Sequence, residues 1–231
     1  MIGLIFCHGW SYTPSFWNNL KVFFQHYPTV MWNLGYYQES PSKLLPQKQG
    51  AMTWIGVGHS LGFAKLLTSG FPFDALVGLQ AFAHFLGNEP GLNARRRKEF
   101  LFFKEQVITA PLEKVIEFQE FSDAAILEKY HVLLREDRLK QDLEALTLNY
   151  NRIFEATKIP TLILGSRGDT VVPTPLLEDN FSDYSHVSCQ IHPSKGHALG
   201  HHHAPWVAEQ VQAFLKQLNP NEVHQIHNKA S

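Results

Sequence analysis

Apolar positions in this chain fall into two kinds of pattern. Short, nearly continuous apolar runs occur at Ile2 to Cys7, Thr29 to Trp32, Thr53 to Val57, Ala75 to Leu79 and Pro160 to Leu164, and a further strand is expected near Val187 to Ile191. Each is the length of a strand buried on both faces. Between them the apolar residues take helical spacing: Trp17, Leu20 and Phe24 within Pro14 to His26, then Leu61, Ala64, Leu66 and Leu67 within Ser60 to Ser69. A further helix is expected from about Pro175, and a closing one over Pro205 to Leu218. Pro41 to Gly50 is poorly defined, with Pro46 limiting any short helix there. The resulting order, βαβαβαβ, predicts an α/β fold built on a mostly parallel central sheet flanked by helices.

The pattern changes after the fourth strand. From about Phe82 to Tyr150 no convincing strand occurs, and helix-like stretches rich in Phe, Leu, Glu, Lys and Arg are punctuated by Gly87, Pro90-Gly91 and Pro111. Three or four helices inserted between two sheet strands are expected, forming a cap over the strand ends. The expected division is a core of residues 1–81 and 151–218, a helical cap at 82–150 and a polar, frayed tail at 219–231.

Candidate chemistry begins at Gly58-His59-Ser60-Leu61-Gly62, where an apolar run meets a helical pattern. This reads as strand, sharp turn and helix with Ser60 at the apex, where glycines allow the two elements to approach. The bland alternative is a serine N-cap in an ordinary loop. A serine nucleophile needs a base, and the base needs an acid to fix its tautomer. In an open parallel sheet these groups belong on loops at the C-terminal strand ends, which share one rim. Asp169 lies just past the strand ending at Leu164, in Gly168-Asp169-Thr170-Val171-Val172-Pro173, although an Asp in such a turn is ordinarily a turn residue. The alternative place for the acid, Ala81 to Phe85, holds no carboxylate. His197 follows the last strand, and Gly196 lets its loop turn; His201 is the second choice. In His8-Gly9-Trp10 the N–H of Trp10 is a candidate oxyanion donor beside that of Leu61. His59 reads as a packed neighbour of the serine rather than a second base.

Composition narrows the class. The chain has 231 residues, 44% of them hydrophobic, which suits one domain or one domain with an insertion. A net charge of -1 gives no general bias toward nucleic acid or anionic membranes. No run reaches membrane-spanning length, and the first residues lack the features of a signal peptide. Cys7 and Cys189, each in a strand expected to be buried, read as two free thiols, and a cytoplasmic location is expected. Among the 13 histidines, adjacent His201, His202 and His203 cannot all face one ion, so a solvated loop is the reading there and no metal site or cofactor is expected.

The four motifs together, in the order Ser60, Asp169, His197, resemble the α/β-hydrolase superfamily. Within it, the His-Gly-Trp loop, the Gly-His-Ser-Leu-Gly elbow and Lys195-Gly196-His197-Ala198 are similar to the pimeloyl-[acyl-carrier protein] methyl ester esterases of biotin synthesis. The opening of the cap, Ala83 to Lys98 with Phe100, Phe102 and Phe103, is similar in style. That resemblance implies Ser60 as nucleophile, His197 as base and Asp169 as acid, with Trp10 and Leu61 as oxyanion donors. It further implies a monomeric, cofactor-free carboxylesterase acting on an ester presented by an acyl carrier protein. An acyl thioesterase, a lipase-like esterase and a non-catalytic ligand-binding relative are the alternatives.

Two further sets of residues bear on the substrate. Arg95, Arg96, Arg97 and Lys98 form the densest positive run, either a solvated helix face or a dock for an acidic carrier protein or for phosphopantetheine. Phe82, Phe85, Phe100 and Phe103 either line an acyl pocket or pack the cap's interior.

Overall fold

The computed structural model describes residues 1–36, 42, 52–109 and 136–218. Six strands pair in parallel throughout: β1 (Ile2–Cys7), β2 (Thr29–Trp32), β3 (Thr53–His59), β4 (Ala75–Leu79), β5 (Thr161–Gly168) and β6 (Val187–Lys195), in the spatial order β2-β1-β3-β4-β5-β6. The chain runs outward from β1 to β2 and then restarts on the other side of β1 with β3. The crevice outside the C-terminal ends of β1 and β3 is therefore a topological switch point, the expected position for a site in an open α/β sheet.

β1 and β4 are buried along their whole length, which accounts for their unbroken apolar composition. β6 differs. It is an edge strand with most residues exposed, and Cys189 within it is exposed rather than buried. The expectation of a buried strand fails there: Ser188 and Gln190 alternate with Val187, Cys189 and Ile191, the pattern of a strand with a solvent face. Pro193 and Lys195 fall on this edge, where neither disturbs an interior ladder.

Helices cover both faces. The segment expected as one helix over Pro14 to His26 is a short α-helix, α1 (Asn18–Lys21), between 3-10 turns at Pro14–Trp17 and Val22–Phe24. α2 (Leu61–Leu67) follows β3, α6 (Thr174–Phe181) follows β5, and α7 (Leu199–His202) with α8 (Ala204–Leu218) closes the described chain. Trp17, Leu20, Val207, Val211 and Leu215 form one buried layer against β1, β3 and β4; Leu61, Phe63, Phe154, Leu176 and Phe181 form the other.

Between β4 and β5 the described residues hold α3 (Pro90–Thr109), α4 (Glu136–Ala145) and α5 (Asn151–Thr157). Phe82, Leu86, Phe100, Leu143, Leu146 and Tyr150 pack into the same buried cluster as Ile5, Leu61 and Ile163. The entry to this insertion is tied to α6. The backbone N–H groups of Ala83 and His84 donate to Asn180 Oδ1, and those of Asn88 and Glu89 to Asp179. The tail 219–231 and most of Pro41 to Gly50 lie outside the described residues.

The turn from β3 to α2 depends on two close approaches. A Cβ on Gly58 would come 2.4 Å from Phe63 Cα, and one on Gly62 would come 2.3 Å from the Cys7 carbonyl oxygen. Both obstacles are backbone, so neither can move aside without shifting α2 from the sheet. Gly62→Ala is expected to destabilise the fold by about 3 kcal/mol or more. Urea denaturation checks this, and an alanine variant as stable as the parent would contradict the packing described.

Candidate active site

Ser60 sits where β3 ends and α2 begins, with φ 52 and ψ -124. A non-glycine residue in that conformation carries strain of about 1–3 kcal/mol. Its N–H donates to the Leu79 carbonyl at 3.0 Å and its carbonyl accepts from Phe63 N–H at 3.1 Å, which holds the turn. The hydroxyl does not cap α2 and makes no hydrogen bond among the described residues. The bland reading of an N-cap serine is thereby removed: the strained apex presents a hydroxyl that the local backbone does not use.

Asp169 follows β5 beyond a shift in the β5–β6 register between Ser166 and Gly168. Irregularities of this kind re-aim a strand end. The carboxylate is buried and accepts four hydrogen bonds. Oδ1 takes the N–H groups of Val171 (2.8 Å) and Val172 (3.0 Å), and Oδ2 takes Gln80 Nε2 (2.7 Å) and His197 Nδ1 (2.8 Å). An Asp in this turn does cap its own backbone, as the turn reading expects, but with one oxygen only. The other oxygen faces the histidine. Because Nδ1 donates to Asp169, the neutral imidazole carries its lone pair on Nε2, the tautomer needed to accept a hydroxyl proton.

His197 is placed by its neighbours. Gly196 before it takes φ 95, and its own carbonyl accepts from His59 Nε2 at 2.7 Å. The two rings lie 4.8 Å apart between centroids. His59 immediately precedes Ser60, so this contact brings the His197 loop to the serine turn. Burial, reinforced by the neighbouring His197, holds the His59 pKa well below its ordinary value. His59 is thus a neutral packed residue, stacked on Phe16 with 4.3 Å between ring centroids. His201, the alternative base, lies in α7 with its ring toward Phe16 rather than Asp169, and the expected loop at His201 to His203 begins in that short helix.

The His8-Gly9-Trp10 segment lies against the same turn. A Cβ on Gly9 would fall 3.1 Å from Ser60 Cβ and 2.6 Å from His59 Nδ1. Trp10, the next residue, packs on the cluster that contains Leu61. His8 is fully buried and uses both ring nitrogens: Nε2 accepts the Leu34 N–H at 3.1 Å and Nδ1 lies 3.0 Å from the Gly9 carbonyl. Since Nε2 must hold a lone pair, Nδ1 is the donor. Burial pushes its pKa down to about 4.

A second polar cluster supports that loop from behind. Asp142 of α4 is buried and accepts from Tyr36 Oη at 2.7 Å and Lys65 Nζ at 2.6 Å. Arg138, one turn earlier, donates to the Leu34 carbonyl at 3.1 Å. The Tyr36 ring meets His8 edge-on at 5.8 Å, and burial with the Asp142 charge raises the Tyr36 pKa. α4, α2 and the loop after β2 are therefore joined through one carboxylate, and Tyr36 carries the link on to His8. An Asp on an otherwise polar helix carries no local signal of such a role, and sequence reasoning missed it. It also missed Gln80, whose place just after an apolar strand was the available signal.

The substrate residues separate into groups. Phe82 and Phe100 are buried, and Phe85 bridges them with ring centroids 5.0 and 6.2 Å away; the Phe103 side chain lies outside those described. Arg95, Arg97 and Lys98 are exposed. Arg96 is not a rim charge. It is buried over the Phe85 ring, and donates to the carbonyls of Val171 (2.8 Å) and Phe85 (3.3 Å). Four consecutive residues of a helix point to different sides, so one of them had to turn inward. Among the described residues, no group of three or more His, Cys, Asp or Glu side chains is placed to hold a metal ion, and no helix is long and apolar enough to cross a membrane.

Protonating His8 would remove the acceptor for Leu34. Its neutral form stabilises the fold fully above the ordinary value of 6.5, and that contribution is lost as pH falls toward about 4. The difference corresponds to about 3 kcal/mol. Urea denaturation at successive pH values should show a shallower acid loss in His8→Gln than in the parent. Parallel curves would contradict the buried neutral assignment.

No family model matches the sequence, and no curated protein is significantly similar to it. Solved structures are similar in fold. A lipase-esterase related protein from Clostridium acetobutylicum ATCC 824 superposes with TM-score 0.70 at 16% identity, covering 92% of this chain and 94% of that one. A bromoperoxidase from Bacillus anthracis gives 0.73 at 16% identity, covering 93% and 91%. MenH from S. aureus gives 0.69 at 14% identity, covering 94% of each. With its six-stranded parallel sheet and flanking helices, this chain has the α/β-hydrolase fold.

Proposed function

We propose that this protein is a serine hydrolase that cleaves carboxylic esters through an acyl-enzyme. The observation that carries the reading is the buried 2.8 Å contact of His197 Nδ1 with Asp169 Oδ2, on the rim where β3 presents the unused hydroxyl of Ser60. In this mechanism His197 Nε2 takes the Ser60 proton as Oγ attacks the ester carbonyl. The backbone N–H groups of Trp10 and Leu61 receive the oxyanion. Collapse of the tetrahedral intermediate expels the alcohol, which takes the proton from His197. Water, activated by the same imidazole, then releases the acid and restores Ser60. Asp169 holds the tautomer through its contact with Nδ1.

The fold supports many chemistries, as the different names of its structural neighbours illustrate, so substrate choice rests with the insertion at 82–150, proposed here as the cap. A pimeloyl-[acyl-carrier protein] methyl ester is the proposed substrate. Arg95, Arg97 and Lys98 are the proposed contacts with the acidic carrier, and the Phe82, Phe85 and Phe100 cluster the proposed neighbourhood of the acyl chain. The protein acts as a cofactor-free cytoplasmic monomer in this reading.

A short p-nitrophenyl ester should be hydrolysed by the parent and slowed by about 1,000-fold or more in Ser60→Ala; equal rates would remove the serine mechanism. Glutamine at positions 95, 97 and 98 should raise KM for the carrier-bound methyl ester and leave the small ester unaffected. Faster turnover of an acyl thioester than of any methyl ester would instead make the protein a thioesterase.

A further inference from the structure

Among the described residues, Gln80 is the one side chain that hydrogen-bonds the acid, the residue before His197 and the start of the helix after it. It follows β4 directly, is fully buried, and takes a left-handed φ of 48. Its backbone N–H donates to the Leu164 carbonyl at 2.7 Å, extending the β4–β5 ladder by one residue. Its side chain is then aimed along the rim. Nε2 donates to Asp169 Oδ2 at 2.7 Å and to the Gly196 carbonyl at 2.6 Å, and Oε1 accepts the Leu199 N–H at 2.8 Å. Two acceptors meet the nitrogen and a donor meets the oxygen, so only one orientation of the amide satisfies all three contacts.

Gly196 and Leu199 bracket His197, and Asp169 Oδ2 is the oxygen that receives His197 Nδ1. We propose that Gln80 is a positioning residue: its amide aligns the His197 imidazole from both sides and shares the carboxylate oxygen that binds it. The proposal rests on the serine-hydrolase reading given above. It assigns Gln80 two separable effects. One is geometric, because the direction of Nε2 follows from the loop that Gln80 pins. The other is electrostatic, because Oδ2 divides its accepting capacity between the Gln80 and His197 donors. Without the amide, all of Oδ2 serves the histidine, which favours the imidazolium and makes the ring keep its proton at higher pH. The other groups facing the pair are unaffected: neutral His59 holds the His197 carbonyl, and Arg96 acts on Asp169 from the insertion.

Two variants separate these effects from simple loss of structure. Gln80→Met keeps the length and removes every side-chain hydrogen bond. Gln80→Glu is isosteric, keeps an acceptor for Leu199, and places an oxygen opposite Asp169 Oδ2. On a p-nitrophenyl ester, kcat should fall about tenfold or more in both, with KM within about twofold of the parent. The acid limb of the kcat/KM profile should move to higher pH by about half a unit in Gln80→Met, and further in Gln80→Glu, where a carboxylate is added. An acid limb that stays in place, with activity falling only as the folded fraction falls, would overturn the proposal. Should the parent show no Ser60-dependent hydrolysis, the hydrolase reading fails by itself. NMR titration of the His197 ring in the Ser60→Ala protein then judges Gln80 independently, and identical titrations with and without the amide would sink it.

Discussion

A carboxylate with no access to water survives in a protein interior only when its oxygens are filled by donors and a cation can form beside it. Asp169 meets that condition with four hydrogen bonds, drawn from its own loop, from the end of β4 and from the loop after β6. The condition reaches far into the fold. β4, β5 and β6 must be adjacent and parallel for those ends to converge, and the β5–β6 register must shift for the carboxylate to turn toward the rim. Unpaired, the same group would cost several kcal/mol, a large part of what a domain of this size has in hand. The order of the strands and the place of the acid are therefore one constraint.

The serine side of the site rests on steric rather than electrostatic limits. Ser60 holds a strained backbone at a turn so tight that Gly58 and Gly62 leave no room for a Cβ between α2 and the strands. The same closeness puts Gly9 against Ser60 and His59. His8 and Asp142 then tie the loop after β2 to the loop after β1, to α2 and to α4 through buried polar contacts. Rigidity there fits the needs of a reaction whose catalytic power depends on donors fixed in advance.

Much of this could be read from the sequence, and what could not has physical reasons. The strands showed as apolar runs because a parallel sheet buries both faces, and Ser60, Asp169 and His197 showed because each lies in a short glycine-marked turn at a strand end. Cys189 was misread although its polar neighbours Ser188 and Gln190 were in view, since alternation alone does not say that a strand stands at the edge. Arg96 read as one of four surface charges until the helix turned it over Phe85 toward the carbonyl of Val171. The contacts of Gln80 and Asp142 were out of reach for a deeper reason, even though the place of Gln80 at a strand end was a signal. Their partners lie 89 and 106 positions away for the Asp169 and Tyr36 contacts, and no local pattern encodes such pairing.

The central claim is that Ser60, His197 and Asp169 act as a single nucleophilic unit. Its most direct measurement is the rate and position of covalent labelling by a fluorophosphonate, followed by peptide mass mapping. The account predicts a single adduct on Ser60 in the parent protein, and labelling slowed by orders of magnitude in His197→Ala with the fold intact. An unlabelled parent, an adduct elsewhere, or an equal rate without the imidazole would contradict it.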